Sequence, residues 1–227
     1  FKLTEKIDTK FKEWMLNHYN SLHNHPPKPP VMLNHIPKIM AREITSSNTA
    51  KSALILIDGL ALDQWVTLRK HIDIKRPTTE SSVFAWVPTI TSVSRQALFS
   101  VQMPYQFSNT IQTTQAEKKA WLQFWQEQGL DKSEVMYDKN LGTDDDVTVL
   151  IDKLSDHRLR SVGLVINTVD NIMHGMELGS AGMHNQVRQW GEEGYLQKLI
   201  DSLIEYGFTI HITSDHGNVE AVGCGKI

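Results

Sequence analysis

Five acidic or imidazole side chains stand where α/β proteins place their chemistry. Asp58 closes the apolar run Ala53-Leu54-Ile55-Leu56-Ile57, Asp170 and His174 follow the apolar stretch 161–167, and Asp215-His216 follow Thr209-Ile210-His211-Ile212-Thr213. Ligands of parallel sheets bind at the carboxyl ends of strands, so these groups converge if the three runs are sheet strands. Carboxylates gathered in one cleft repel one another unless a cation neutralises them. Oxygen plus imidazole donors suit zinc, with manganese as the alternative, in one or two divalent ions. The four-residue spacing of Asp170 and His174 puts both on one face of a helix, one turn apart.

A hydroxyl accompanies them. Pro88-Thr89-Ile90-Thr91-Ser92-Val93-Ser94-Arg95 runs from an apolar segment into a helix start. There, free backbone N–H groups and the helix dipole favour a phosphate. Thr91 is read as a nucleophile whose alcohol is activated by an adjacent metal. Arg95, one turn on, is read as a clamp for phosphoryl oxygens, with Ser94 as a further hydrogen-bond donor. Plainer roles stay open for each residue alone: a cap or loop acid for Asp58, a surface turn for Asp170 and His174, a helix cap for Thr91 and a solvated charge for Arg95. Asp215-His216-Gly217 has the least packing purpose of the set.

The elements that must position these groups are legible as patterns. The chain of 227 residues, with 40% hydrophobic and 22% charged, suits one domain plus an extension. Leu3, Ile7, Phe11, Trp14, Met15 and Tyr19 predict an amphipathic helix over residues 3–20, and His25-Pro26-Pro27-Lys28-Pro29-Pro30 an extended stretch after it. Residues 1–49 are therefore read as a helical and Pro-rich extension outside the core, and 50–227 as the domain. Strands are expected at 53–57, 82–87, 134–137, 161–167 and 208–213. Helices are expected up to His71, from near Thr91, over 116–128, from Thr143-Asp144-Asp145-Asp146, and through Tyr195, Leu196, Leu199, Leu203 and Ile204. Such alternation predicts an α/β fold: a mostly parallel sheet with helices on both faces.

Composition narrows the setting. The formal net charge of -3 gives no global attraction to nucleic acid, and no apolar run approaches the ~20 residues needed to cross a bilayer. The single cysteine, Cys224, makes neither an internal disulfide nor a cysteine-based zinc site, which fits the cytoplasm. A chain that starts at Phe1 and stops at Ile227, soon after a strand, reads as a piece of a longer protein.

Taken in order, Leu56-Ile57-Asp58-Gly59, the segment from Pro88 to Ser100, Asp170-x-x-x-His174-Gly175 and Thr213-Ser214-Asp215-His216-Gly217-Asn218 resemble the PglZ family of the alkaline-phosphatase superfamily, over about residues 50–227. The family is similar to the phosphatase component of bacterial BREX-type phage-defence systems. The resemblance implies an alkaline-phosphatase-like fold and a two-metal site. Asp58, Thr91, Asp215 and His216 would surround one ion, with Asp170 and His174 holding the other. It further implies in-line attack by Thr91 on a phosphate monoester, a diester or a nucleic-acid end, and partners among other defence proteins.

Two departures stand out. The superfamily's further histidine, downstream of Asp-His-Gly, has no counterpart before Ile227, and His184 and His211 are poor substitutes. Val101 stands where relatives are expected to carry glycine, while His23, His25 and His35 read as loop histidines. Two other readings remain: a catalytically silent metal-binding scaffold or interaction module of the defence complex, and a mutase or phosphate transferase.

Overall fold

The computed structural model describes residues 2–175, 179–219 and 225, so Cys224 lies outside the described residues. In chain order the elements are α1 (Lys2–His18), α2 (Ile36–Thr45), β1 (Lys51–Ile57), α3 (Leu62–Leu68), α4 (Thr91–Ser100), α5 (Glu117–Glu127), β2 (Val135–Leu141), α6 (Asp144–Leu154), β3 (Ser161–Ile166), α7 (Thr168–His174), α8 (Gly179–Glu193), α9 (Tyr195–Glu205) and β4 (Phe208–Thr213). The four strands form one parallel sheet in the order β2-β3-β1-β4. No helix among the described residues is long and apolar enough to cross a membrane.

Strand periodicity divides the core in two. Ala53, Ile55 and Ile57 of β1, with Val162, Leu164 and Ile166 of β3, face a layer carrying Leu150, Val187, Leu196 and Leu199 of α6, α8 and α9. Leu54, Leu56 and Val165 face the opposite layer, built by Met40 and Ile44 of α2, Leu98 and Phe99 of α4, and Trp121 and Trp125 of α5. Burial on both faces is why β1 and β3 read as unbroken apolar runs.

Three expectations are revised. Residues 82–87 are not a sheet strand; the segment makes one isolated bridge, between Met32 and Phe84. Its backbone partners lie in the N-terminal segment. Phe84 N–H donates to Val31 O (2.8 Å), Leu33 N–H donates to Phe84 O (3.1 Å), and the Tyr19 hydroxyl donates to Ala85 O while accepting from Val87 N–H, each at 2.8 Å. Strand-like composition here serves an aromatic stack, with the Phe84 ring 5.3 Å from Trp14 and 6.5 Å from Phe11. Packing does not divide at residue 49 either, because Leu33, Ile36, Met40, Ala41 and Ile44 are buried in the core beside β1. Finally, β2 runs on to Leu141, past a register shift at which Asn140 takes φ 62°.

Val101 caps α4 in the left-handed conformation, with φ 58° and ψ 23°. That is the conformation in which glycine ends a helix at no steric cost, and a β-branched residue there carries about 1–2 kcal/mol of strain. The valine therefore keeps the turn that glycine would make and carries that strain.

Gly163 of β3 lets the indole of α5 approach the sheet. A Cβ there would stand 2.9 Å from Trp121 Cε2 and 3.2 Å from a Phe99 ring carbon. Trp121 is fully buried and its Nε1–H donates to Met136 O at 3.0 Å, so the ring has little room to retreat. Gly163→Ala is expected to lower unfolding free energy by about 1–3 kcal/mol in a denaturant titration; an unchanged midpoint would refute this account of the packing.

Candidate metal centre

The carboxyl ends of β3, β1 and β4 lie side by side, which places the residues after them together. Asp58 follows β1, and its N–H donates to Ile166 O of β3 at 2.9 Å. Gly59 then turns the chain with φ +70°, and its N–H donates to Asp215 Oδ1 at 3.1 Å, drawing the segment after β4 towards the end of β1. A second tie is made by amides. Gln64 Nε2–H donates to Asn218 Oδ1 (2.8 Å), while Asn218 Nδ2–H donates to Gly59 O (2.7 Å) and to Gln64 Oε1 (2.9 Å).

Thr91 is the first residue of α4. Its hydroxyl lies 2.9 Å from His216 Nε2 and 3.5 Å from Asp58 Oδ1. It does not cap its helix; Ile90 is the N-cap and supplies no side-chain bond. His216 Nδ1 lies 2.9 Å from Gly217 O, a partner that can only accept, so the ring proton is assigned to Nδ1 and the Nε2 lone pair faces Thr91. Nε2 is also 3.4 Å from Asp215 Oδ2 and 3.8 Å from Asp58 Oδ1.

Donor atoms of Asp58, Asp215 and His216 all lie within 4.8 Å of one another. Asp58 is 1% exposed and Asp215 0%, yet Asp215 Oδ2 has no hydrogen-bond partner among the described residues. Burial, and then the neighbouring Asp58 charge, push the Asp215 carboxyl up to about 7. Two buried carboxylates and an imidazole lone pair make a pocket rich in negative charge and short of protons, and a divalent cation fits it.

Asp170 and His174, on α7, stand beside this group. Asp170 Oδ1 lies 3.6 Å from where a Gly59 Cβ would be, and burial, then Asp58, raise its pKa. His174 is 3.5 Å from Asp170 with its side chain 74% exposed, so the pair forms the rim of the cleft. His184 pairs elsewhere with Asp63 (3.1 Å) and Thr67 (3.2 Å), and His211 with Glu43 (3.0 Å). His35 is buried, with its Nδ1 facing Val31 N–H and Met32 N–H and its Nε2 facing His23 O.

The clamp expected of Arg95 is corrected. Its guanidinium points inward, donating to Asp58 Oδ2 at 2.7 Å and to Glu117 at 3.0 and 2.6 Å, and the residue is 3% exposed. Two buried carboxylates outcompete the cleft for one cation. Ser94 is likewise fully buried, with no hydrogen-bond partner for its hydroxyl among the described residues, and so does not reach the cleft surface. Sequence reasoning missed Glu117, Tyr137 and Asn167. Asn167 follows β3 directly, so the strand-end rule that found Asp58 would have found it; a lone acid in the first turn of α5 gives no such signal.

The raised pKa of Asp215 sets a sign. The folded, metal-free chain holds this proton more tightly than the unfolded chain, whose aspartates titrate near pH ~4. Stability from this group is therefore full below about pH 4 and is lost as pH rises towards about 7. With metal stripped, Asp215→Asn should gain in melting temperature relative to wild type between about pH 5 and 8, and should lose the stabilisation that added zinc or manganese gives wild type. A gap between the two proteins that does not change with pH would contradict this.

Comparison with known proteins agrees with the geometry. No curated protein gives a significant match to the chain. Residues 36–224 match the family described as the BREX system PglZ alkaline phosphatase-like domain, a span that takes in the α2 segment as well as the sheet and its strand-end groups. The chain belongs to the PglZ family.

Proposed function

We propose that this chain is a divalent-metal-dependent phosphoesterase of a phage-defence system, with Thr91 as its nucleophile. The observation that carries the reading is the Thr91 hydroxyl, 2.9 Å from His216 Nε2, beside two buried carboxylates at the start of a helix. Asp58, Asp215 and His216 would hold the ion, which supplies positive charge to neutralise the carboxylates and to favour a threonine alkoxide near neutral pH. Zinc suits the donor set best, and manganese is the alternative. Asp170 and His174 are proposed as ligands of a second ion at the rim.

The chain's own residues supply position and donors. His216 Nε2 has one lone pair, which holds either the Thr91 proton, as in the metal-free arrangement, or the ion. Thr91 Oγ, its proton given up to solvent, forms a bond to phosphorus as the P–O bond to the leaving group breaks and that oxygen takes a proton from solvent, giving a phosphothreonine; water then attacks phosphorus, loses a proton to solvent, and the P–Oγ bond breaks to release Thr91. Val93 and Ser94 N–H donate to Ile90 O, and the N–H groups of Thr91 and Ser92 would bind the phosphoryl oxygens. The substrate class is a phosphate monoester, diester or nucleic-acid end. The setting is the cytoplasm, with other defence proteins as partners.

A second reading, a metal-binding scaffold without turnover, is favoured by one observation: Arg95 is withdrawn from the cleft, so the substrate clamp expected of it is missing. Hydrolysis of an aryl phosphate monoester and diester with zinc or manganese separates the two. Thr91→Ala is expected to lower turnover by at least roughly 100-fold while metal binding through Asp58, Asp215 and His216 persists. Undiminished hydrolysis by Thr91→Ala would remove the nucleophile, and metal binding by wild type with no turnover on either ester would sustain the scaffold.

A further inference from the structure

We infer that Glu117 and Tyr137, acting through Arg95, are positioning residues of the metal centre: they fix which oxygen of Asp58 faces the ion and keep the layer behind it electrically neutral. The inference rests on the metal-centre reading above and concerns residues that touch neither ion nor substrate.

The geometry is a buried relay across four elements. Asp58 Oδ2 accepts from Arg95 Nη1 at 2.7 Å and from Asn167 Nδ2 at 3.0 Å, which satisfies it. Its other oxygen is thereby turned to the cleft, where Oδ1 lies 3.5 Å from the Thr91 hydroxyl and 3.8 Å from His216 Nε2. Arg95 is itself held from behind, with Nε and Nη2 donating to Glu117 Oε1 and Oε2 in a two-pronged pair. The Tyr137 hydroxyl of β2 donates to Glu117 Oε2 and fixes that carboxylate in turn. Glu117 is 0% exposed, so nothing in solvent shares its charge.

Charge counting explains why an acid stands so deep. Asp58 and Asp215 together carry the two negative charges that a divalent ion needs. Arg95 alone would cancel one of them and repel the ion. Glu117 cancels Arg95, so the guanidinium orients Asp58 without lowering the net charge offered to the cleft. A buried pair of this kind contributes little to stability by itself, which leaves orientation of Asp58 as its distinguishable effect.

The test reads metal affinity in competition with a chromophoric chelator, using zinc and manganese on the full chain, with near-ultraviolet circular dichroism to confirm folding without metal. Glu117→Gln keeps the shape and removes the charge, and is expected to weaken zinc binding by about 10-fold or more. The double variant Arg95→Met with Glu117→Leu restores neutrality with apolar groups of similar size; it should stay folded and still bind zinc about 10-fold more weakly, because Asp58 is no longer oriented. Tyr137→Phe leaves the ion pair in place, should bind zinc about 3-fold more weakly, and decides the matter if the other two do not fold. Wild-type affinity in the folded variants overturns the inference alone. A wild-type chain that binds neither ion overturns the metal centre, and this inference with it.

Discussion

Two carboxylates, Asp58 and Asp215, are buried side by side where β1 and β4 end, and the rest of the site exists to make that arrangement tolerable. Removing one carboxylate charge from water costs several kcal/mol unless it is paired, and placing a second beside it adds repulsion. Asp58 is answered by Arg95 and Asn167, and one oxygen of Asp215 by the Gly59 N–H. Asp215 Oδ2 is left unanswered among the described residues. Of the four buried carboxylate oxygens, two accept from N–H donors; Asp58 Oδ1 has only the Thr91 hydroxyl at 3.5 Å and Asp215 Oδ2 lies beside an imidazole lone pair, an arrangement that a divalent cation fits.

The fold delivers this through strand ends rather than long loops. Ile57 is paired with Ile166, and Leu56 with Thr213, so the residues immediately after three neighbouring strands leave the sheet at the same level. Gly59 is then required by its backbone. Its positive φ turns the chain away from the sheet edge, whereas a Cβ there would meet Asp170 and His216 only at ordinary contact distance. The reciprocal amide bonds of Gln64 and Asn218 secure the same corner from the side of α3.

The parts of this that were legible in the sequence share one cause. A strand buried on both faces is written as a continuous apolar run, and the polar residues that follow it mark the sheet edge, so the meeting of Asp58 with Asp215-His216 was legible by place. What was illegible depends on tertiary choice. Arg95 lies one turn beyond Thr91 whether it faces the cleft or the core, and only the buried Glu117 decides between them. Glu117 itself, in Ala116-Glu117-Lys118-Lys119, has the look of a solvated first-turn acid. Residues 82–87 carry the composition of a strand, but their backbone partners come from residues 19–33 instead of the sheet, and no local pattern encodes that.

That last pairing changes the standing of the N-terminal segment. Thr91 meets His216 to within a hydrogen bond, yet among the described residues no strand of the sheet pairs with the chain leading to it, and its Val83 and Ala85 pack only on the side-chain layer shared with Leu54 and Leu56 of β1. It is held by Tyr19, whose hydroxyl bridges Ala85 O and Val87 N–H four residues before the nucleophile, and by the stack of Phe84 on Trp14. Leu33 N–H and Val31 O fasten the same strand-like piece from the other side. The first helix buries none of its residues, so its contribution is not to the core. Its aromatic side chains pack on the approach to Thr91, so residues that the sequence marks as an extension stand against the segment that leads to the candidate nucleophile.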